Sequence, residues 1–472
     1  MKKNGRRIIC VCLTLLTLVG LFSGCGSKKR SDMVDADGNI TLDFWSIYPE
    51  GDPFYDWTLE IIDRFEKEHP NIKINYTGIS FWDYFTKITT AMTDPTGPEI
   101  YLQTIKDTTD RARGGVSMNL TPFFDDSFNA GEDFFFPQDV DPMTWEGNVY
   151  GLPYSLDNRV LYYNIDLVNT LKDTEDADWT GTRVGKKDGT TITGKPADLI
   201  GDDGNVRAPK TWDELLAYQE LLTVTENGKI TQLGFDVNIG NFKVENAVWT
   251  HGGEYFDADG KPTVSTDPGV RAGFEVWYEL THTLPQAKVN TFVASAGSDA
   301  ANLFWSGLVG LMVSTNEIPW QNDKLGDQRI NLGAAPIPYD GNEANHFNFT
   351  GGFSVELANR LSKESEEVQQ AAFTFVRYLT GEEVQSEILT VCSNLPALKS
   401  VYDNLAASTD DTAKQVVFSE MQYRKPFNYI YNAPNWWSNV YTGLTEYVSD
   451  KKTLDEALDS IQKAIEQLQA TY

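Results

Sequence analysis

The segment from Ile40 to Thr104 constrains the fold of this chain more than any other. "ITLDFW" (40–45), "IKINYT" (72–77) and "PEIYLQT" (98–104) are short β-rich runs separated by helix-like stretches. In "FYDWTLEIIDRFEKEHP", Trp57, Ile61 and Phe65 recur on one helical face, and Pro70 stands just past the end as a stop. "DYFTKITTAM" repeats the pattern and closes at Pro95. Two parallel strands need a long crossover, usually a helix, so strands alternating with helices announce βαβ units and a parallel sheet. The expected fold class is therefore α/β.

The rest of the chain continues in the same style. "VYGLPYSLDNRVLYYN" supplies two strand candidates joined through Pro153, and "LVGLMVST", "NLGAAPIP" and "FTGGFSVEL" supply three more. "KTWDELLAYQELLT" opens a helix with Thr211 as N-cap and Glu214 three residues on, a capping box. "DPGVRAGFEVWYELTH", "DAANLFWSG" and "SEEVQQAAFTFVRYLTG" are further helices, and Leu454, Leu458, Ile461, Ile465 and Leu468 make one apolar stripe in the last. A stripe of that width packs a helix on its own domain. Residues 171–208 lack any apolar period and are rich in Gly, Asp, Lys and Thr, so they form an inserted surface loop.

The N-terminus decides where the chain works. "MKKNGRR" carries four basic residues and no acid, and "IICVCLTLLTLVGLF" is an apolar run too short to span a bilayer comfortably, for which about 20 residues are needed. That is an export signal. Ser23 and Gly24 precede Cys25, and "FSGC" resembles a bacterial lipobox with Phe22 where Leu is usual, which favours a Gram-positive source. Residues 1–24 would be removed, Cys25 would carry lipid, and 25–37 would be a polar tether beside a membrane, with Lys28, Lys29 and Arg30 attracted to anionic lipid. Of four cysteines only Cys392 then remains in the folded body, so neither a disulfide framework nor a cysteine metal site can be built.

Charge excludes one class of partner. Removing the signal's four basic residues leaves 35 against 68 acids, a formal charge of −33, which repels nucleic acid. About 450 remaining residues suit two domains. With 12 Trp, 21 Tyr and 25 Phe, some aromatic rings are available to face a ligand.

Motifs for catalysis are absent. "GTTITGKP" (189–196) nearly matches a phosphate loop, but Pro196 has neither the hydroxyl nor the N–H that the position must supply. "DADGN" (35–39) and "DADGK" (257–261) suggest calcium loops, yet Lys261 and Pro268 stand where the second needs oxygen ligands, so both are turns. His69, His251, His282 and His346 show no metal-binding spacing, and no G-x-S-x-G elbow is present. No cofactor is expected.

The order of "ITLDFWSIYPEG", "IIDRFEKEHPNIKINY", "GPEIYLQT", "WEGNVYGLPYSLDNRVLYYNIDLV", "PKTWDELLAYQELL", "LFWSGLVGLMVSTNEIPW" and "GGFSVELANRLSKESEEVQQAAFTFVRYLTGEE" resembles the family 1 extracellular solute-binding proteins of ATP-driven carbohydrate importers. The similarity covers nearly all of residues 38–470. It implies a two-lobe periplasmic-binding-protein-like fold of type II, with central sheets flanked by helices and a ligand cleft between the lobes. Lobe 1 would comprise 38–153 plus 354–399, and lobe 2 would comprise 154–353 plus 400–472. The chain would cross between them at Leu152–Leu156, in "FTGGFSV" and after "NLPALKSVY".

The resemblance further implies a monomer that is not an enzyme, partnered by a carbohydrate and by a membrane permease. Carried over to this sequence, the ligand-binding residues are Tyr48, Glu50, Gln103 and Asp157, with Phe242, Trp320 and Trp437 as stacking aromatics and Arg159, Trp249, Phe353 and Trp436 as neighbours. A pyranose presents apolar C–H faces to rings and hydroxyls to Asp, Glu, Gln and Arg, which is the mixture these positions offer. The alternatives are a binder of another small solute on the same fold and a cell-surface glycosidase.

Overall fold

The computed structural model describes residues 33–173, 198–295, 301–339, 341–427, 430, 433 and 435–471. The export signal, Cys25 and the centre of the inserted loop lie outside the described residues.

Strands β1 (Ile40–Ser46), β2 (Ile72–Gly78), β3 (Ile100–Thr104), β4 (Leu152–Leu156), β8 (Gly352–Leu357) and β9 (Leu395–Pro396) form one sheet in the order β9-β4-β8-β3-β1-β2. β1 runs parallel to both β2 and β3, while β8 lies antiparallel between β3 and β4. The expected crossover helices are present as Pro53–Glu68 and Phe81–Ala91. Asp52 caps the first by accepting the Phe54 N–H, and Pro53 tolerates the position because its missing N–H would have no partner there. Trp57, Ile61 and Phe65 are all buried, as their spacing requires.

The second lobe is built on a smaller sheet, with β5 (Arg159–Asn164) central between β6 (Leu311–Thr315) and β7 (Leu332–Ala335), all antiparallel. Helix Pro268–His282 and the C-terminal helices Trp437–Val448 and Leu454–Thr471 enclose a further core in which Leu458, Ile461 and Ile465 are buried.

The lobes are joined where strands pass from one sheet region to the other. β4 leads to β5 through only Asp157 and Asn158. Asn348–Phe349, paired in parallel with Arg424–Lys425, leads through Thr350 and Gly351 into β8. The two passages are stitched together: the Asp157 carboxylate accepts the Gly351 N–H, and the Asp157 carbonyl accepts the Thr350 hydroxyl at 2.6 Å. Gly352 has φ +118°, and a Cβ there would meet the Ser155 carbonyl oxygen at 2.5 Å, so a glycine is required. After β9, helix Lys399–Ser408 places Tyr402 against Phe136, and helix Thr412–Glu420 then packs on β7.

Four local expectations are corrected. Residues 33–37 are not free tether: the Asp35 carboxylate accepts the N–H groups of Asp37 and Asn39, and the Thr41 N–H bonds the Met33 carbonyl at 2.8 Å, folding this segment onto β1. The helix expected over "DAANLFWSG" is only the turn Asn302–Trp305. The described flanks of the inserted loop are anchored, with Leu171, Leu199 and Val206 buried in the second lobe's core. The capping box is half formed, since Thr211 accepts the Glu214 N–H but Arg207 draws the Glu214 carboxylate away at 2.7 and 2.8 Å.

Cys392 is buried at the end of helix Glu382–Cys392, which stops because Ser393 turns left-handed at φ 56°. Burial pushes its thiol well up from the ordinary range.

Candidate functional site

The two-residue passage Asp157–Asn158 delivers Arg159 to the start of β5, where it is only 4% exposed. Its Nη1 lies 2.8 Å from the Asp157 carboxylate, and its guanidinium sits 5.0 Å from the centre of the Phe349 ring. Arg159 Nε has no hydrogen-bond partner among the described residues. A buried guanidinium with an idle donor is prepared to bond something further.

Phe349 and Trp249 are buried in the core under the C-terminal helices, and their rings continue outward to the half-buried Phe427 and Trp437. Trp249 lies parallel to Phe349 at 6.1 Å and 16°, while Phe427 meets Phe349 edge-on at 5.1 Å and lies 6.3 Å from Trp437 at 28°. Trp436 supports Phe427 from behind at 5.6 Å and is itself wedged against Tyr255 and Phe256. Cations flank these rings. The Lys425 ammonium lies 5.2 Å from Trp249 and pairs with Glu254, and the Lys106 ammonium lies 3.6 Å from Trp437. Lys106 comes from the other lobe, two residues beyond the end of β3.

Buried polar groups with capacity to spare lie on the Trp249 helix and on β5. Glu245 is fully buried in helix Val244–Trp249; Oε2 accepts the Tyr441 hydroxyl at 2.8 Å, and Oε1 has no partner among the described residues. The side-chain oxygen and nitrogen of Asn246 and the Tyr162 hydroxyl are likewise unpartnered among them. Burial pushes the Glu245 carboxyl up, although the Tyr441 hydrogen bond opposes it. Burial also raises the Glu317 carboxyl against the Thr315 hydrogen bond and the attraction of Arg159. The ammonium groups of Lys106 and Lys243 are pushed down by burial, and Arg159 pushes Lys243 further.

Of the expected ligand-binding residues, Asp157, Arg159, Trp249, Trp436 and Trp437 come together here. Phe353 is half-buried on β8, directly opposite Thr104 at the end of β3. Glu50 is exposed at the turn after β1. Tyr48 is buried edge-on against Phe54 at 5.2 Å, and Gln103 folds its carbonyl back onto the Thr104 N–H at 3.0 Å. Phe242 stacks on Trp277 at 4.8 Å inside the second lobe's core. Trp320 packs edge-on against Phe418 at 6.0 Å with the Lys414 ammonium 5.5 Å from its ring.

Lys106, Lys243, Glu245, Phe349, Phe427 and Tyr441 escaped sequence reasoning. The charged members read as solvated loop and helix residues until long-range packing buries them. "KPFNYIYNAPNWW", which brings Phe427 beside two tryptophans, was the one local signal that could have marked a ring cluster.

Among the described residues no group of three or more His, Cys, Asp or Glu is placed to hold a metal ion, and no helix is long and apolar enough to cross a membrane.

A family model described as bacterial extracellular solute-binding protein matches residues 60–416. A putative binding protein of Brucella abortus is 23% identical over 330 residues, 68% of this chain and 67% of its own. The maltodextrin-binding protein of Bacillus subtilis is 23% identical over 362 residues, 74% and 71% of the two chains. An ABC substrate-binding protein of Listeria monocytogenes, solved with cycloalternan, shares the fold with a TM-score of 0.69 at 18% identity, covering 91% of this chain and 99% of that one.

Proposed function

We propose, from the premise that this chain belongs to the family of bacterial extracellular solute-binding proteins, that it captures an oligosaccharide between its lobes and delivers it to the permease of an ATP-driven importer. One observation carries the reading: the half-buried rings of Phe427 and Trp437, backed by the buried Phe349 and Trp249, run towards the Arg159 guanidinium, which keeps an idle donor, while Glu245 and Asn246 on the Trp249 helix keep unused bonding capacity. Rings take the apolar faces of a pyranose, and the idle donors and acceptors take its hydroxyls. The maltodextrin named for the Bacillus subtilis relative and the cycloalternan bound in the Listeria structure support a glucan-like ligand.

The chain acts by binding rather than turnover, as a monomer, and Cys25 holds it by lipid at the outer face of the membrane of a Gram-positive cell. Calorimetry of the purified protein against malto- and manno-oligosaccharides tests the capture. Saturable single-site binding with the sugar recovered intact is expected; release of shorter sugars would move the reading to a glycosidase. Cys25→Ser tests the anchor, since the variant should leave the membrane fraction. Retention there after a salt wash would overturn the lipid attachment.

A second reading has its own observation. Lys106, Arg159 and Lys243 lie within electrostatic reach of one another, the first paired with Asp107 and the second with Asp157, and a carboxylate or phosphate on the saccharide would compete for them. Binding of a uronate oligosaccharide that weakens with salt, with none of the neutral series, would put this reading first.

A further inference from the structure

Trp82 is 85% exposed, and its neighbour Phe81 is 42% exposed. Both stand at the start of helix Phe81–Ala91, just past the carboxyl end of β2. They are held, not loose: Phe81 meets Trp82 edge-on at 5.1 Å and Phe85 at 5.2 Å. Tyr84 pins the same turn to the sheet, its buried hydroxyl donating to the Leu102 carbonyl at 2.6 Å and lying 3.2 Å from that of Trp45. Residues 82 and 84 fall on opposite sides of a helix, so anchoring Tyr84 inward fixes Trp82 outward.

This rim is shared with the candidate site. β1, β2 and β3 are parallel, so their carboxyl ends lie along one edge, where ligands of open α/β sheets bind. β2 is the outermost strand and β3 lies two positions in, which separates their ends by roughly 10 Å at the usual strand spacing. Lys106, against Trp437, follows the end of β3; Trp82 follows the end of β2. The interval exceeds one pyranose ring but suits successive units of a chain.

We infer that Trp82, braced by Phe81, is an outer platform for the distal sugar units of a neutral oligosaccharide whose inner units occupy the cleft at Arg159 and Trp437. The inference rests on the carbohydrate reading above and adds ligand length to it. A ring exposed to this degree is otherwise unfavourable surface, whereas stacked on a sugar face it is covered only when the ligand is long enough to reach it. Short ligands gain nothing from it.

Calorimetry of wild type, Trp82→Ala and Trp82→Phe against ladders of malto- and manno-oligosaccharides, from disaccharide to heptasaccharide, tests this. Wild-type affinity should rise with length. Trp82→Ala should lose about tenfold for the long members, within the range of a lost aromatic anchor, and nothing for the disaccharide, while Trp82→Phe keeps most of the gain. Equal affinities of wild type and Trp82→Ala at every length would overturn the platform while leaving saccharide capture intact. Equal affinities combined with lost uptake in cells would assign the ring to permease docking and overturn the platform too. Binding of no member by wild type would overturn the neutral-oligosaccharide reading, and the platform with it.

Discussion

The Lys106 ammonium lies 3.6 Å from the centre of the Trp437 ring, and the two residues come from opposite lobes. Lys106 follows the last of the three parallel strands, and Trp437 opens the first of the C-terminal helices. Their contact therefore closes the cleft on itself. A cation over an indole contributes about 0.5–1 kcal/mol when exposed and about 2 when desolvated, enough to bias a population of lobe arrangements without locking it.

Removing that contact should open the ligand-free protein. Lys106→Ala is expected to enlarge the radius of gyration measured by small-angle scattering without ligand, and to leave it unchanged once ligand saturates the cleft. An unaltered ligand-free radius would show that the pair does not hold the lobes.

Trp437 and Trp320 should separate cleanly. Trp437→Ala is expected to keep its fold and lose roughly thirtyfold in ligand affinity, about 2 kcal/mol. Trp320 packs against Phe418 and under the Lys414 ammonium, so Trp320→Ala should lower the melting temperature and leave affinity near wild type. Calorimetry beside thermal melts distinguishes them, and equal affinity losses would put both rings in the site.

Glu356 should prove costly to remove. It is fully buried on β8 and accepts hydrogen bonds from Arg111, Thr108, Ser117 and Ser354, tying the segment after β3 to the second interlobe passage. Burial opposes its charge, but Arg111 outweighs it and holds the carboxyl below its ordinary range. Glu356→Ala leaves the Arg111 guanidinium buried without its partner, a change worth about 3–5 kcal/mol in urea unfolding. A loss under 1 kcal/mol would show that the network is replaceable.

The contribution of His346 to stability should fade as pH rises above 6.5. His346 is stacked between Tyr339 and Tyr423, 3.0 Å from the Glu420 carboxylate and 3.5 Å from that of Glu343. Burial disfavours its charged form, yet the two carboxylates prevail and raise its pKa above 6.5. The folded state thus binds the proton more tightly. That stabilisation is full below pH 6.5 and is lost as pH climbs through the raised value. Melting temperatures of wild type and His346→Gln should converge over that interval; a constant difference would place the titration elsewhere.

Sequence reasoning reached the frame further than the site, for a physical reason. Trp57, Ile61 and Phe65 declare a helix because burial on one face imposes a spacing that any reader can count. The ends of β1 and β3 follow from the same local rules, whereas the crossing came from the family resemblance, which put it at Leu152–Leu156, a strand of the first lobe's sheet that ends just before Asp157. No local rule distinguishes Phe242, stacked on Trp277 in a core, from Trp249, stacked on Phe349 beside a buried arginine: both are large rings in apolar surroundings. Lys106 and Lys243 carry no pattern either, because what defines them is the company that residues hundreds of positions away bring.

The burial of Cys392 has a practical corollary. In a chain expressed from Gly26 onward it is the lone thiol, since the other cysteines are Cys10, Cys12 and Cys25. Its inaccessibility and suppressed thiolate make it a poor target for maleimide reagents. Fluorophores or spin labels attached through cysteines introduced on the two lobes, at Glu50 and Asp450 for example, would therefore report separation of the lobes against a silent background, with no native cysteine to remove.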